Sequence, residues 1–203
     1  MHLRQLAQIL LCGTIVLLEA ILFVGANMNV SKIIAEFDSF LSTEHQEFEA
    51  VIVGGAALNL LGIVTRVTND VDVIHPESLP DAIAHAASQF AKAKNIPEGW
   101  LNCGPRSIVE YLPVGWESRS VVVFRGKNLR LVSLGRQELL FSKCWAYCDR
   151  ERDLDDILAI QPTPVELDAV VAWLKPLDAN PGWPAFVEKM IGRLAQMAGA
   201  RHG

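Results

Sequence analysis

Two acidic residues separated by a single valine are the clearest sign of chemistry in this sequence. Asp70 and Asp72 lie at the start of a segment, Val71–Ile74, that reads as a β-strand. Because side chains alternate along a strand, both carboxylates lie on one face, about 7 Å apart along the backbone. Two like charges this close repel unless a cation lies between them, and oxygen ligands suit Mg²⁺. The pair therefore predicts a magnesium site, the alternative being a solvated strand edge.

A glycine pair upstream provides a place for phosphate. Gly54 and Gly55 follow residues 48–53, an apolar run that predicts a buried strand, and precede a predicted helix over residues 56–61. Backbone N–H groups at a helix N-terminus hold phosphate, and glycine lets the phosphate approach closely. This order of elements brings phosphate and metal sites together, although a Gly-Gly turn alone is most often only a turn.

Caps, turns and periodicity predict the elements that must position these residues. We expect a helix capped by Ser31, and a helix capped by Thr163 with Glu166 three residues later, which is a capping box. Further predicted elements are helices over residues 80–94, 135–149, 153–160 and 180–197, and a hairpin of strands 119–124 and 129–133. Mixed strands and helices, with a helical C-terminal section, indicate an α/β (α+β) fold.

Composition narrows the function classes. The 203 residues are 51% hydrophobic and 20% charged, which predicts a folded core rather than disorder. A net charge of −5 argues against a protein that grips nucleic acid by bulk positive charge. Four cysteines without a C-x-x-C pair argue against a disulfide scaffold or a zinc site, and Cys144 and Cys148 read as buried free thiols. The residues available for a local basic face are Arg125, Lys127, Arg130 and Arg136.

In these motifs the sequence resembles the nucleotidyltransferase superfamily, whose members have the DNA polymerase beta-like fold. Residues 53–58 (VGGAAL) and 66–72 (RVTNDVD) are similar to the V-G-G-x-A-L and R-x-T-x-D-x-D of the AbiEii-like toxin nucleotidyltransferases and a related bacterial branch. Residues 112–119, 138–146 and 150–157 resemble further segments of that branch. The resemblance covers residues 30–161 and implies a nucleotidyltransferase fold, a short mixed sheet flanked by helices.

The resemblance also implies roles for individual residues. Asp70 and Asp72 would hold the Mg²⁺ that bridges the triphosphate of an NTP. The glycine amides would face the phosphates, and Lys143 would reach the triphosphate as a point charge. The residues assigned to catalysis, nucleotide or metal are Asp70, Asp72, Lys143, Gly54, Gly55, Arg66 and Thr68.

Three of the charged residues have competing interpretations. Lys143 either contacts phosphate or is a solvated lysine on an amphipathic helix. Arg66 either binds phosphate or pairs with an acid such as Asp70. Asp153 and Asp156, three residues apart on one helical face, either orient Lys143 or Arg150, or Asp153 only caps the start of a helix.

Two departures from the family pattern affect the expected chemistry. Gly55 stands where the common form has serine, so one hydroxyl contact to phosphate is missing. The third carboxylate, often the general base, is not identifiable, because the strand over residues 120–124 carries no acid. Glu110 and Glu117 are the nearest candidates. These departures motivate a second hypothesis, a degenerate fold that binds nucleotide or a partner protein without catalysis.

The first hypothesis is an Mg²⁺-dependent nucleotidyltransferase. It would move a nucleotidyl group from an NTP to an RNA, protein or small-molecule acceptor. The toxin of a toxin–antitoxin pair, with an antitoxin as its partner, is one form of this hypothesis.

The N-terminus predicts a separate region. Residues 6–26 form an apolar run long enough to span a bilayer, and they read as a membrane anchor, a signal peptide or translated sequence upstream of a start at Met28. The expected organisation is a hydrophobic segment over residues 1–27, a nucleotidyltransferase-like domain over residues 28–161 and C-terminal helices over residues 162–203. The expected location is cytoplasmic, or membrane-anchored if residues 6–26 form an anchor that contacts the bilayer.

Overall fold

A five-stranded mixed sheet forms the framework of the computed structural model, which describes residues 29–200. The order of strands across the sheet is β3-β2-β1-β5-β4. Strand β1 runs antiparallel to β2 and parallel to β5, and Val53 at its end is in register with Asp72. The end of β1 therefore lies beside the acidic strand. The strands are β1 (Phe48–Val53), β2 (Val71–His75), β3 (Leu101–Asn102), β4 (Val121–Arg125) and β5 (Leu129–Ser133).

Helices flank this sheet and fill the C-terminal section, as the sequence predicts. They are α1 (Val30–Thr43), α2 (Gly54–Leu60), α3 (Asp81–Lys94), α4 (Trp116–Arg119), α5 (Arg136–Arg150), α6 (Leu154–Ile160), α7 (Pro164–Leu174) and α8 (Trp183–Ala200), with 3₁₀ turns over Arg106–Tyr111 and Lys175–Leu177. None of the helices within residues 29–200 is long and apolar enough to cross a membrane.

Helix α5 is the central helix of the side that carries the site. It packs against α2, α6, α7 and α8. Its buried side chains include Leu139, Leu140, Cys144 and Tyr147, which are the residues that its 3.6-residue period predicts to face inward. A separate aromatic group joins α1 to α3, with the rings of Phe37 and Phe90 centred 5.2 Å apart. The buried face of α5 thus fixes the position of any residue that points from it towards the sheet.

Several predicted element ends are confirmed and others are wrong. The capping box is present, with the Thr163 side chain accepting from the Glu166 N–H and the Glu166 side chain accepting from the Thr163 N–H. The hairpin of β4 and β5 is also present. Helix α1, however, is capped by Asn29 rather than Ser31, because the Asn29 side chain accepts from the Lys32 N–H at 3.0 Å.

Two further corrections concern helix starts. Helix α2 begins at Gly54 rather than at residue 56, so the glycine pair forms its first turn instead of a turn before it. Helix α8 begins at Trp183 rather than at residue 180, because side chains of Asp178 and Asn180 accept backbone N–H bonds that hold residues 178–182 in a loop. The hydrophobic segment over residues 6–26, with its three interpretations, lies outside the described residues.

Candidate active site

One residue of the acidic pair, Asp72, belongs to the lining of a cleft of about 360 Å³, whereas the other, Asp70, does not. Asp72, on β2, lines the cleft, and its carboxylate accepts a hydrogen bond from the Asn102 amide at 3.2 Å. Asp70, just before β2, is exposed and accepts a hydrogen bond from the Thr68 hydroxyl at 3.0 Å. Burial, followed by the charge of Asp70, raises the pKa of Asp72 above its ordinary value. The carboxylate of Asp72 is therefore one whose charge a cation would stabilise.

Three side chains occupy the space beside the glycine pair. Gly54 has a φ of +78°, which favours glycine, and a Cβ there would lie 2.7 Å from Asp72 Oδ2. A Cβ on Gly55 would lie 3.0 Å from Arg66 Nη2 and 3.2 Å from the Thr68 hydroxyl. The first turn of α2 is therefore packed directly against residues of both predicted motifs, VGGAAL and RVTNDVD.

A chain of ion pairs joins Arg66 to Lys143 through one buried carboxylate. Asp156 accepts hydrogen bonds from Arg66 Nε at 2.7 Å and Nη2 at 2.5 Å, and it lies 2.7 Å from Lys143 Nζ. Lys143 also donates to Asp153 at 2.9 Å. Burial alone raises the pKa of Asp156, but its bonds to the two cations outweigh that effect and hold the pKa below its ordinary value. Asp156 is therefore ionised at neutral pH and shared between the two cations.

These contacts decide between the competing interpretations of the charged residues. Lys143 is not a solvated lysine, because only 7% of its side chain is exposed. Arg66 pairs with an acid, but the acid is Asp156 rather than Asp70. Asp153 occupies the N-cap position of α6, but its side chain makes no capping hydrogen bond and contacts Lys143 instead. Arg150 Nε lies 3.8 Å from the Asp149 carboxylate.

The rest of the cleft is lined by a 3₁₀ turn and one face of α5. Gly54, Asp72 and Lys143 line the cleft together with the apolar side chains of Ile108 and Trp145. The other lining residues are Val53, Pro105, Ser107, Ser142, Ala146, Asp149, Arg150 and Asp153. The lining thus combines charged and apolar groups, which suits a ligand that has an anionic part and a flat apolar part.

A family comparison identifies the chain. The model of a family described as nucleotidyltransferase of unknown function (DUF6036) matches residues 28–164. The chain belongs to this nucleotidyltransferase family. The match confirms the superfamily resemblance and includes every residue assigned above to the site, whereas the closer similarity to AbiEii-like toxins stays a prediction. No match was found among curated proteins or among solved structures.

The third carboxylate of this nucleotidyltransferase is not one of the two predicted glutamates. Glu110 and Glu117 are exposed, and neither lines the cleft. Within residues 29–200, the acids that line the cleft besides Asp72 are Asp149 and Asp153. In the same range, no group of three or more histidine, cysteine and acidic side chains is arranged to hold a metal ion. A cation at Asp70 and Asp72 would therefore take its other oxygen ligands from water or a bound phosphate, which is how Mg²⁺ is commonly held.

Other residues that the sequence singled out are accounted for by structural contacts. Arg130 pairs with Glu49, and Arg136 pairs with Glu166 at 2.7 Å, so two of the four cations expected to form a local basic face are already neutralised. Cys144 and Cys148 are buried free thiols, as predicted, and burial raises the pKa of Cys148 to about 11.

Sequence reasoning missed Asn102 and the two apolar cleft residues Ile108 and Trp145. Asn102 belongs to β3, a strand of two residues that is in register with Asp72 on the neighbouring strand. A strand this short has no periodicity to detect. Trp145 lies on the predicted helix, but its position in the cleft depends on how α5 packs against the 3₁₀ turn.

Proposed function

We propose that the cleft binds a nucleoside triphosphate together with Mg²⁺ and transfers the nucleotidyl group to an acceptor hydroxyl, releasing pyrophosphate. The observation that supports this most directly is the meeting of Asp72, Gly54 and Lys143 in one cleft. Asp72 offers a metal ligand, Gly54 lets a phosphate approach the backbone closely, and Lys143 offers a cation. Membership of a nucleotidyltransferase family supports the same substrate class.

The charge balance of the site supports a requirement for a divalent cation. Five carboxylates lie at or near the cleft against three cations; the carboxylates are Asp70, Asp72, Asp149, Asp153 and Asp156, and the cations are Lys143, Arg66 and Arg150. The site therefore carries an excess of two negative charges, which would repel a free triphosphate. Mg²⁺ bound at Asp70 and Asp72 would neutralise this excess and polarise the reacting phosphate. We expect nucleotide binding to depend on the metal for this reason.

The other residues of the site would bind the nucleotide or position Asp72. An ammonium group has three N–H donors, and Lys143 uses two of them on Asp153 and Asp156, which leaves one for a phosphate oxygen. The apolar side chains of Ile108 and Trp145 would contact the nucleobase. Of the glycine pair only Gly54 lines the cleft, and it would let the phosphates approach the backbone of α2 closely. Asn102 would keep Asp72 oriented towards the cleft.

The acceptor remains open among an RNA, a protein and a small molecule. Similarity of residues 53–58 and 66–72 to the AbiEii-like branch supports the toxin of a toxin–antitoxin pair, with an antitoxin partner, as one form of the proposal.

A second candidate function rests on a specific observation, the lack of any acid on β4, Val121–Arg125. Without a third carboxylate on that strand, the cleft would bind a nucleotide and serve as a binding module.

Label transfer from NTPs tests the proposal and separates the two candidates. The purified protein is incubated with Mg²⁺, total cell RNA and protein, and NTPs labelled at either the α- or the γ-phosphate. We expect α-label in the acceptor and γ-label in pyrophosphate, with both lost in Asp72→Asn. Transfer of γ-label to the acceptor would indicate a phosphotransferase instead. Binding of Mg–NTP without any transfer would favour the binding module, and absence of both would refute the proposal.

A further inference from the structure

Asp156 is a buried acid whose contacts all go to cations of the candidate active site. Only 2% of its side chain is exposed. One oxygen contacts both Arg66 Nη2, at 2.5 Å, and Lys143 Nζ, at 2.7 Å, and the other accepts from Arg66 Nε at 2.7 Å. A buried carboxylate is costly unless charges and hydrogen bonds compensate it, and here two cations do so.

The two cations come from different parts of the fold, and of the two only Lys143 lines the cleft. Arg66 precedes the acidic pair and lies against the first turn of α2, where a Cβ on Gly55 would be 3.0 Å from its Nη2. Lys143 lines the cleft from α5. Since Asp156 stands in the first turn of α6, this short helix ties the loop before Asp70 to the helix that carries Lys143.

Asp153 also contacts Lys143, but its surroundings differ. Its side chain is 23% exposed, it lines the cleft, and its backbone has a φ of +69° just before α6. It contacts one cation of the network, whereas Asp156 contacts both. The buried, shared acid is therefore the one able to fix the direction of the lysine.

We propose that Asp156 is the positioning residue that holds the Lys143 ammonium at the cleft, so that its remaining N–H meets a triphosphate. This inference rests on the proposed function. Asp156 itself touches no ligand and acts only through Lys143. Removing its charge should therefore weaken binding of a triphosphate while leaving binding of a monophosphate nearly unchanged, because a monophosphate lacks the β- and γ-phosphates that a lysine at this place would contact.

A double-mutant cycle on the full chain tests this. Affinities for Mg–ATP and Mg–AMP are measured for wild type, Asp156→Asn, Lys143→Ala and the double variant. A hydrogen bond to a charged group corresponds to a loss of about tenfold or more, so each single variant should lose about this for Mg–ATP and less than twofold for Mg–AMP. The double variant should be no weaker than Lys143→Ala within about twofold. If the losses of Mg–ATP affinity in the two single variants multiply in the double variant, the proposal is wrong.

Glu138→Gln is the matched control. Glu138 is also a fully buried acid on α5, and its carboxylate pairs with Arg119 at 2.6 Å, but it does not line the cleft. This variant should lower the melting temperature without changing the ratio of Mg–ATP to Mg–AMP affinity. An equal change of that ratio in Glu138→Gln would show that general loosening of the fold explains the effect of Asp156→Asn.

A measurement without nucleotide separates this inference from the proposed function. Labelling of Lys143 by an amine-reactive reagent, read by mass spectrometry, should rise several-fold in Asp156→Asn and stay unchanged in Glu138→Gln. If the wild type binds no Mg–ATP, the proposed function fails, and the labelling still decides whether Asp156 holds Lys143. If Asp156→Asn does not fold, it is combined with Arg66→Gln, which removes the cation that has lost its partner. Labelling of Lys143 should again rise, and no rise would overturn the proposal.

Discussion

Replacing Gly54 by alanine should damage the site through Asp72 much more than it damages the fold. The added Cβ would lie 2.7 Å from Asp72 Oδ2, but 3.7 and 3.8 Å from Cγ and Cβ of the same residue, which is ordinary contact. Only the carboxylate oxygens therefore need to move, by rotation of the group. That rotation breaks the 3.2 Å hydrogen bond from Asn102 and turns the Asp72 carboxylate, the proposed metal ligand, away from its present orientation.

The magnitude has two parts. The positive φ of +78° at Gly54 costs an alanine about 1–2 kcal/mol. Loss of the Asn102 hydrogen bond adds about 1 kcal/mol. The total loss of stability is therefore about 2–3 kcal/mol. In a chain of this size, each kcal/mol lowers the melting temperature by about 2–4 °C. Metal-dependent nucleotide binding should fall tenfold or more.

Gly62→Ala is the control for the backbone part. Gly62 has nearly the same φ, +72°, but a Cβ there would meet nothing within 4 Å. Urea unfolding should show a loss of about 1–2 kcal/mol for Gly62→Ala, with unchanged affinity for Mg–ATP. Equal affinities of the Gly54→Ala and Gly62→Ala proteins for Mg–ATP would refute the reasoning, because the close approach to Asp72 would then have no role in binding.

Three further predictions concern charged groups. Asp72→Asn should abolish metal-dependent nucleotide binding in calorimetry, yet raise the melting temperature of the metal-free protein at pH 7. The raised pKa of Asp72 means that its ionised form destabilises the fold, so this gain should shrink as the pH falls and Asp72 takes up a proton. Lys143→Ala should weaken Mg–ATP binding about tenfold and Mg–AMP binding little. Glu166→Gln should lower stability at pH 7, because the Arg136 hydrogen bond and the Thr163 N–H lower the pKa of Glu166 to about 2. That contribution is present above the ordinary value near 4.5 and is lost as the pH falls towards 2.

Each of these has a contradicting result. Wild-type affinity for Mg–ATP in Asp72→Asn would exclude the metal site. A melting temperature of Asp72→Asn below that of the wild type at pH 7 would show that the charge of Asp72 does not destabilise the fold. Equal effects of Lys143→Ala on Mg–ATP and Mg–AMP would exclude a triphosphate contact, with Lys127→Ala on the exposed hairpin as the control. A stability difference between wild type and Glu166→Gln that persists at pH 2 would contradict the linkage to the Glu166 carboxylate.

The parts of the site that lie close together in sequence were predictable. Asp70 and Asp72 are two residues apart, and the charge of Asp70 helps to raise the pKa of Asp72, although Asp70 precedes β2 and only Asp72 lines the cleft. The Thr163 cap and its box are equally local, since Glu166 is only three residues away. In both cases the groups are near neighbours in sequence, so residue types and spacing are enough to bring them together, whereas the magnesium site stays a prediction.

The parts that depend on packing between distant elements were not predictable. Arg66 and Asp156 are 90 residues apart, and each alone has several plausible partners in the sequence. The sequence leaves Lys143 either at phosphate or in solvent, and it leaves Asp153 and Asp156 beside either Lys143 or Arg150. Only the packing of α6 against α5 selects the pairs with Lys143. Asn102 reaches Asp72 because a two-residue strand joins the edge of the sheet.

Gly55 has a consequence for how relatives of this chain can vary. It is not among the glycines with positive φ, so its backbone accepts any residue, and what excludes a side chain is the guanidinium of Arg66 at 3.0 Å. The serine of the common superfamily form would compete for that space. We therefore expect coupled substitution within the superfamily. Serine at position 55 should accompany a smaller side chain at position 66 and the loss of the acid at position 156. The serine hydroxyl and the arginine guanidinium would then be two alternative ways of filling the same volume.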